Sequence, residues 1–243
     1  MKKLIFPLIT FSFLSLILTV SVLGRSLNDF VASLQGAYEI RNGDAVQTMI
    51  LQDGYFMNTS YDVSEKKFNY SEGGVYSMKG DSIMMNVEFS TRSKDVVGEN
   101  RSYRISPANN EIALTSITGK QVWKKVDNGE GGLAGNWRIT GRKQGEEISQ
   151  MPKRARKTLK ILSGTRFQWA AINPETKEFF GTGGGTYSFK DGKYTENIEF
   201  FSRDSSRVGA TLSFEGSVKG NEWHHSGNSS KGDPIYEIWT REL

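Results

Sequence analysis

A segment of this chain occurs twice. Gly184-Gly185-Thr186-Tyr187-Ser188 repeats Gly73-Gly74-Val75-Tyr76-Ser77 at a shift of 111 residues, and the register runs without a gap from Gly73/Gly184 to Gly98/Gly209. Of those 26 aligned pairs 11 are identical, Asn86, Glu88, Phe89 and Arg92 among them, far more than unrelated segments share. The 243 residues are therefore a tandem duplication, and any fold for them must be one that roughly 100 residues can build, twice.

The repeated unit is all-β. Aromatics make up 12% of the chain, there are 26 Gly and only 5 Pro, and the apolar residues fall in short alternating runs between turn signals such as Gln52-Asp53-Gly54 and Lys79-Gly80-Asp81. In Ile83 to Phe89 the odd positions Ile83, Met85, Val87 and Phe89 share one apolar face, which predicts that all four point into a core. About eight such strands per repeat favour an antiparallel up-and-down barrel, because closure removes the exposed edges of an open sheet. The expected layout is a leader over 1–24, a first barrel over 34–126, a linker over 127–132 and a second barrel over 133–243. Asp127 to Gly132, polar and glycine-rich, reads as a flexible joint. Leu133-Ala134-Gly135-Asn136-Trp137 matches Leu34-Gln35-Gly36-Ala37-Tyr38 at a shift of only 99, so the second repeat gains twelve residues between its first two strands. This insertion, within 141–160, carries Lys153-Arg154-Ala155-Arg156-Lys157 and predicts either a solvated loop or a basic lid, with a short helix after Pro152.

Met1-Lys2-Lys3 followed by the apolar run Leu4 to Leu23 has the form of a secretory signal, which predicts an exported, periplasmic or secreted protein; an uncleaved N-terminal anchor is the alternative. Without Lys2 and Lys3 the chain has 29 basic and 27 acidic residues, too even a balance for nucleic acid, and no membrane insertion is expected once the leader is removed. The absence of cysteine excludes disulfides, thiol catalysis and thiolate metal sites.

Gly135-Asn136-Trp137 on the first strand of the second repeat, with Arg241 shortly after Trp239 on its last, resembles the signature of the lipocalins and fatty-acid-binding proteins (calycins). There a tryptophan packs under a late arginine at one barrel end. The first repeat has Tyr38 and Lys125 in these places, a weaker version of the same pairing. Gly185 to Tyr187, Tyr194 to Glu196, Trp223-His224 and Glu237 to Trp239 are also similar to a bacterial (Bacteroidota) exported lipocalin-like domain family of unknown function. What the resemblance implies is a lipocalin-like barrel with a ligand cup, and Trp137, Arg241, Tyr38 and Lys125 as structural residues.

The duplication also marks a site. Glu196 stands where the first repeat has Met85, so an acid has entered a predicted core face, and it needs a partner, a wet cavity or a proton. His224 and His225 leave opposite faces of a strand, which argues against a shared metal; no metal or other cofactor is expected. Alternation places His225 with Trp223, whereas the family resemblance favours His224 as the neighbour of Glu196. Trp169, Tyr187, Tyr194 and Trp223 either line the cup or pack the core. Three functions are consistent with these residues. One is a non-enzymatic binding protein for a small apolar or amphipathic ligand; the second is a barrel isomerase or hydrolase using Glu196 and His224. The third is a structural or glycan-interaction module with filled barrels.

Overall fold

A computed structural model describes residues 33–242; the leader proposed over 1–24 lies outside the described residues. The chain forms two closed antiparallel eight-stranded barrels in succession. The first consists of β1 (Gly36–Asn42), β2 (Ala45–Gln52), β3 (Tyr55–Asp62), β4 (Lys67–Lys79), β5 (Ser82–Ser90), β6 (Asn100–Ala108), β7 (Glu111–Ser116) and β8 (Gly119–Lys125), closed by pairing of β8 with β1. The second begins with β9 (Gly135–Gln144), on which β10 (Glu147–Gln150) pairs as a ninth strand outside the closed ring of eight. It continues through β11 (Lys157–Leu162), β12 (Arg166–Asn173), β13 (Glu178–Lys190), β14 (Lys193–Phe201), β15 (Thr211–Lys219), β16 (Glu222–Asn228) and β17 (Pro234–Arg241), with β17 closing on β9. The twelve inserted residues do not form the expected helix. They lengthen β9 into a hairpin with β10, since backbone groups beyond the barrel rim find partners in a second strand.

The repeat extends well beyond the segment legible in the sequence. Val46 opposes Tyr61 and Lys157 opposes Ile172; Met85 opposes Arg101 and Glu196 opposes Leu212; Arg104 opposes Thr115 and Glu215 opposes Ser226. Strands β2–β7 thus superpose on β11–β16 at the same shift of 111. Both repeats carry a bulge at one place, between Gly73 and Gly74 and between Gly184 and Gly185. The shared glycines are required there by close approach. A Cβ on Gly74 would lie 1.9 Å from the Asn86 carbonyl oxygen, and on Gly185 2.0 Å from that of Asn197.

The bulge reverses the alternation of the strand beyond it. Ile83, Met85 and Val87 are buried as expected, but Phe89 is not part of the barrel interior. It stacks on Phe179 of the other barrel with ring centroids 6.0 Å apart, and its counterpart Phe200 stacks on Phe68 at 6.4 Å. Each contact becomes the other under the shift of 111, so the barrels meet through an isologous, pseudo-twofold seam, the arrangement of a symmetric dimer. Its centre is apolar, with Ile50, Met57, Leu159, Ile161 and Ile172 buried among others. The two shared glutamates lie at its edges. Glu88 accepts from Tyr55 and pairs with Lys157 at 2.8 Å; Glu199 pairs at 2.8 Å with Arg166, which also holds Glu39 at 3.0 Å.

The linker is not the flexible joint that its composition suggested. The Asp127 carboxylate accepts hydrogen bonds from the backbone N–H groups of Ala37, Gly129, Gly164 and Thr165 and from the hydroxyls of Ser163 and Thr165. Burial alone would raise its pKa, but these donors, Thr165 and Gly164 foremost, hold it below the usual carboxylate range. One side chain thereby ties the start of barrel one, the linker and the β11–β12 turn together.

Candidate functional site

Each barrel has one end plugged by the aromatic–cation pair expected from the sequence. The Arg241 guanidinium lies 4.6 Å from the Trp137 ring centre, and the Lys125 ammonium 5.8 Å from that of Tyr38. Gly135 is needed beneath this plug, because a Cβ there would sit 2.4 Å from Arg241 Nη1. Asp53, from barrel one, completes it by accepting from Arg241 at 2.8 Å.

Inside barrel two, above the plug, Trp137, Phe167, Tyr187, Tyr194, Trp223 and neighbouring side chains form a solid layer. Tyr187, Tyr194 and Trp223 belong to that layer and do not line the cup as ligand contacts: Trp223 is fully buried, and the Tyr187 hydroxyl donates to the Ser163 carbonyl at 2.6 Å. Glu196 lies at the top of the layer, where its Oε1 accepts from Lys160 Nζ and from the Tyr194 hydroxyl, both at 2.8 Å. Burial and the adjacent Glu196 carboxylate push the Tyr194 hydroxyl well above its usual pKa, so it is a neutral donor. The ammonium of Lys160 is 5.1–5.8 Å from the ring centres of Trp239, Trp223, Tyr194 and Phe167. The partner that an acid in a core needs is thus Lys160, which replaces Met49 of barrel one as Glu196 replaces Met85.

A cup of about 380 Å3 opens above Glu196, walled by Trp169, Phe201, Leu212, Phe214 and Trp239. Trp169 is the aromatic residue of the sequence reading that does reach it. His224 does not: its ring leaves the barrel and lies 2.8 Å from the Tyr236 hydroxyl, so no Glu196/His224 pair exists. His225 faces the cup instead, as strand alternation requires once Trp223 is inward. It is 2% exposed, its ring centre is 4.2 Å from that of Phe214, and neither ring nitrogen has a hydrogen-bond partner among the described residues. Glu237 Oε2 approaches Nδ1 only to 3.6 Å, beyond hydrogen-bond length. Glu237 is itself held by Trp239 Nε1 and by Arg142, each at 3.1 Å. Arg142 and Arg156 form a cationic rim; Arg156, stacked 4.4 Å from the Phe180 ring centre, is the residue of the basic insertion that reaches the cup.

Burial holds the His225 pKa below its ordinary value, with Lys160 adding to this against the opposing Glu237 and Glu196. Burial would raise Glu237, but His225, Lys160 and Arg142 outweigh it and bring the carboxyl down to about 2. A histidine depressed in the fold is protonated first in the unfolded chain, so stability falls once pH drops below about 6.5. The Glu237 contribution is complete above its ordinary value and is lost as pH falls toward 2. Urea denaturation across pH should therefore show constant stability from pH 8 to 7 and a two-stage decline below. His225→Leu should remove the upper stage and diminish the lower one, since His225 is one of the groups that hold Glu237 down.

His225 was legible from alternation; extending the duplicate register to β2 marks Lys160 as the replacement of Met49, but not as the partner of Glu196. Glu237 and Arg142 left no such signal, since β17 and the lengthened β9 fall outside the 111 register. No protein-family model and no curated protein matches the sequence.

Proposed function

We propose that this protein is an exported, lipocalin-like binding protein whose second barrel holds a small apolar or amphipathic ligand, with a hydrogen-bonding group of that ligand against His225. The observation that carries this reading is the pair of unpartnered His225 nitrogens, in a nearly water-free position at the floor of an aromatic-walled cup. A buried polar group without a partner costs about 1–3 kcal/mol, so a fold that keeps one gains something by it elsewhere. Neutral imidazole offers one donor and one acceptor, which suits a hydroxyl or carboxyl group. The cup is within the size range of small-molecule pockets, and its largely apolar walls match theirs. The Trp137–Arg241 plug supports the lipocalin-like ancestry, and the leader-like N-terminus supports export. A non-enzymatic role fits a site in which Glu196 is already neutralised by Lys160.

The test uses barrel one as its guide, since Leu114 occupies the position of His225 there. His225→Leu is expected to raise stability by about 1–3 kcal/mol, because two orphaned nitrogens disappear. Titration with decanoate, followed by the fluorescence of Trp169 and Trp239, should show saturable binding that His225→Leu weakens about tenfold, or 1.4 kcal/mol. No saturable binding of decanoate or decanol, together with native mass spectra of the host-purified protein free of any adduct, would remove the proposal.

A further inference from the structure

Barrel one has a cup of its own, about 330 Å3, at the corresponding place in its fold, and the chemistry there is reversed. Where barrel two presents Thr158, Trp169, Leu212 and Phe214, barrel one presents Gln47, Asn58, Arg101 and Tyr103, each 111 residues earlier. The exchange is coupled across strands. In barrel two Trp169 and Phe201 lie over Gly183, where a Cβ would come within 2.9 Å of both. In barrel one these two positions are Asn58 and Ser90, and the released space is filled by the side chain of Glu72, which stands in place of Gly183.

The polar groups are held in place. Gln47 Nε2 donates to Asn58 Oδ1 at 3.1 Å, and Arg101 donates to Glu72 at 3.1 Å and to Glu99 at 3.3 Å, so the charge of Arg101 is already answered. That of Arg92 is not. Its guanidinium carbon lies over the Tyr70 ring, 3.4 Å from the centre, and has no carboxylate partner among the described residues. Lys120 adds a further cation at the rim. Planar amide and carboxylate groups fixed by one another match the alternating donors and acceptors of adjacent hydroxyls. A guanidinium held against an aromatic ring can receive a carboxylate through two parallel hydrogen bonds.

We propose that the barrel-one cup binds an acidic sugar unit, its hydroxyls read by Gln47, Asn58 and Glu72 and its carboxylate by Arg92. This site is independent of the ligand assigned to barrel two, so either can fail without the other.

The probe is D-glucuronate, titrated into the full chain and followed by the amide resonances of the protein, with D-glucose and acetate as comparators. Glucuronate should shift the side-chain amides of Gln47 and Asn58 and bind about tenfold more tightly than glucose or acetate. Arg92→Met should reduce glucuronate to the level of glucose, Arg92→Lys should recover part of the difference, and Asn58→Leu should weaken both sugars. Unchanged resonances of barrel-one residues away from the cup, together with those of barrel two, establish that each variant is folded. Acetate binding as tightly as glucuronate would reduce the cup to a plain anion site and overturn the proposal. So would shifts confined to barrel two, or no shift at about 50 mM, a concentration at which even a weak sugar site is occupied.

Discussion

Replacing Glu196 with methionine, the residue barrel one carries at this place, is expected to destabilise the protein by about 3–5 kcal/mol, because it takes from the buried ammonium of Lys160 the carboxylate to which it hydrogen-bonds. Lys160 and Glu196 side chains are each only 6% exposed, so water cannot take over the lost partner. Replacing both residues, Lys160→Met with Glu196→Met, should recover that loss and reach or exceed the parent, since removing a whole buried pair is often neutral or stabilising by about 1–4 kcal/mol. The Tyr194 hydroxyl then lacks an acceptor, and Tyr194→Phe on the same background should bring a further gain of about 1 kcal/mol. Urea denaturation of the two single variants, the double and the triple gives the coupling directly. Equal stability of Glu196→Met and the double variant would show that the pair does not act as a unit.

An equally large effect is expected at the bulge. Gly185→Ala should cost at least about 4 kcal/mol, because the new methyl group meets the carbonyl oxygen of Asn197, a backbone atom fixed by strand pairing on both sides. Relief requires the bulge to open, and opening it returns Phe200 to the wrong face and withdraws it from Phe68 and Tyr61 across the seam. Gly74→Ala should behave alike at the symmetric position. Gly80→Ala is the comparison: its φ of +60° penalises a side chain, but no atom lies within 4 Å of the added carbon, so its cost should stay near about 1–2 kcal/mol. Thermal melts of the three variants separate steric exclusion from loss of backbone freedom, and similar melting points for Gly185→Ala and Gly80→Ala would refute the steric account.

The duplication, the all-β class and the two closed barrels were legible in the residues because strand alternation and turn chemistry are local. An internal copy also supplies its own comparison. The substitution of Met85 by Glu196 stood out for the same reason, as did the need for a partner. Which partner, Lys160, depended on how β11 and β14 face one another across the barrel, and that distance is not written in either strand. His225 was assigned correctly by alternation and wrongly by resemblance, since a motif records which residues recur and not which face they occupy.

Sequence alone determined that one small barrel is built twice and that the second copy carries an acid in its interior, because each follows from patterns within a strand or between the copies; the Trp–Arg plug was an expectation of the family resemblance. Only the tertiary structure decided that Phe89 and Phe200 serve the seam and not their own cores. The bulge that turns them is set by the backbone of the adjacent strand. The structure likewise decided that Asp127 ties the linker to both barrels through hydrogen bonds, and that the two cups, alike in position, are lined with opposite chemistry. These properties arise from side chains of distant strands meeting in space, where packing and charge pairing, and not local periodicity, determine the outcome.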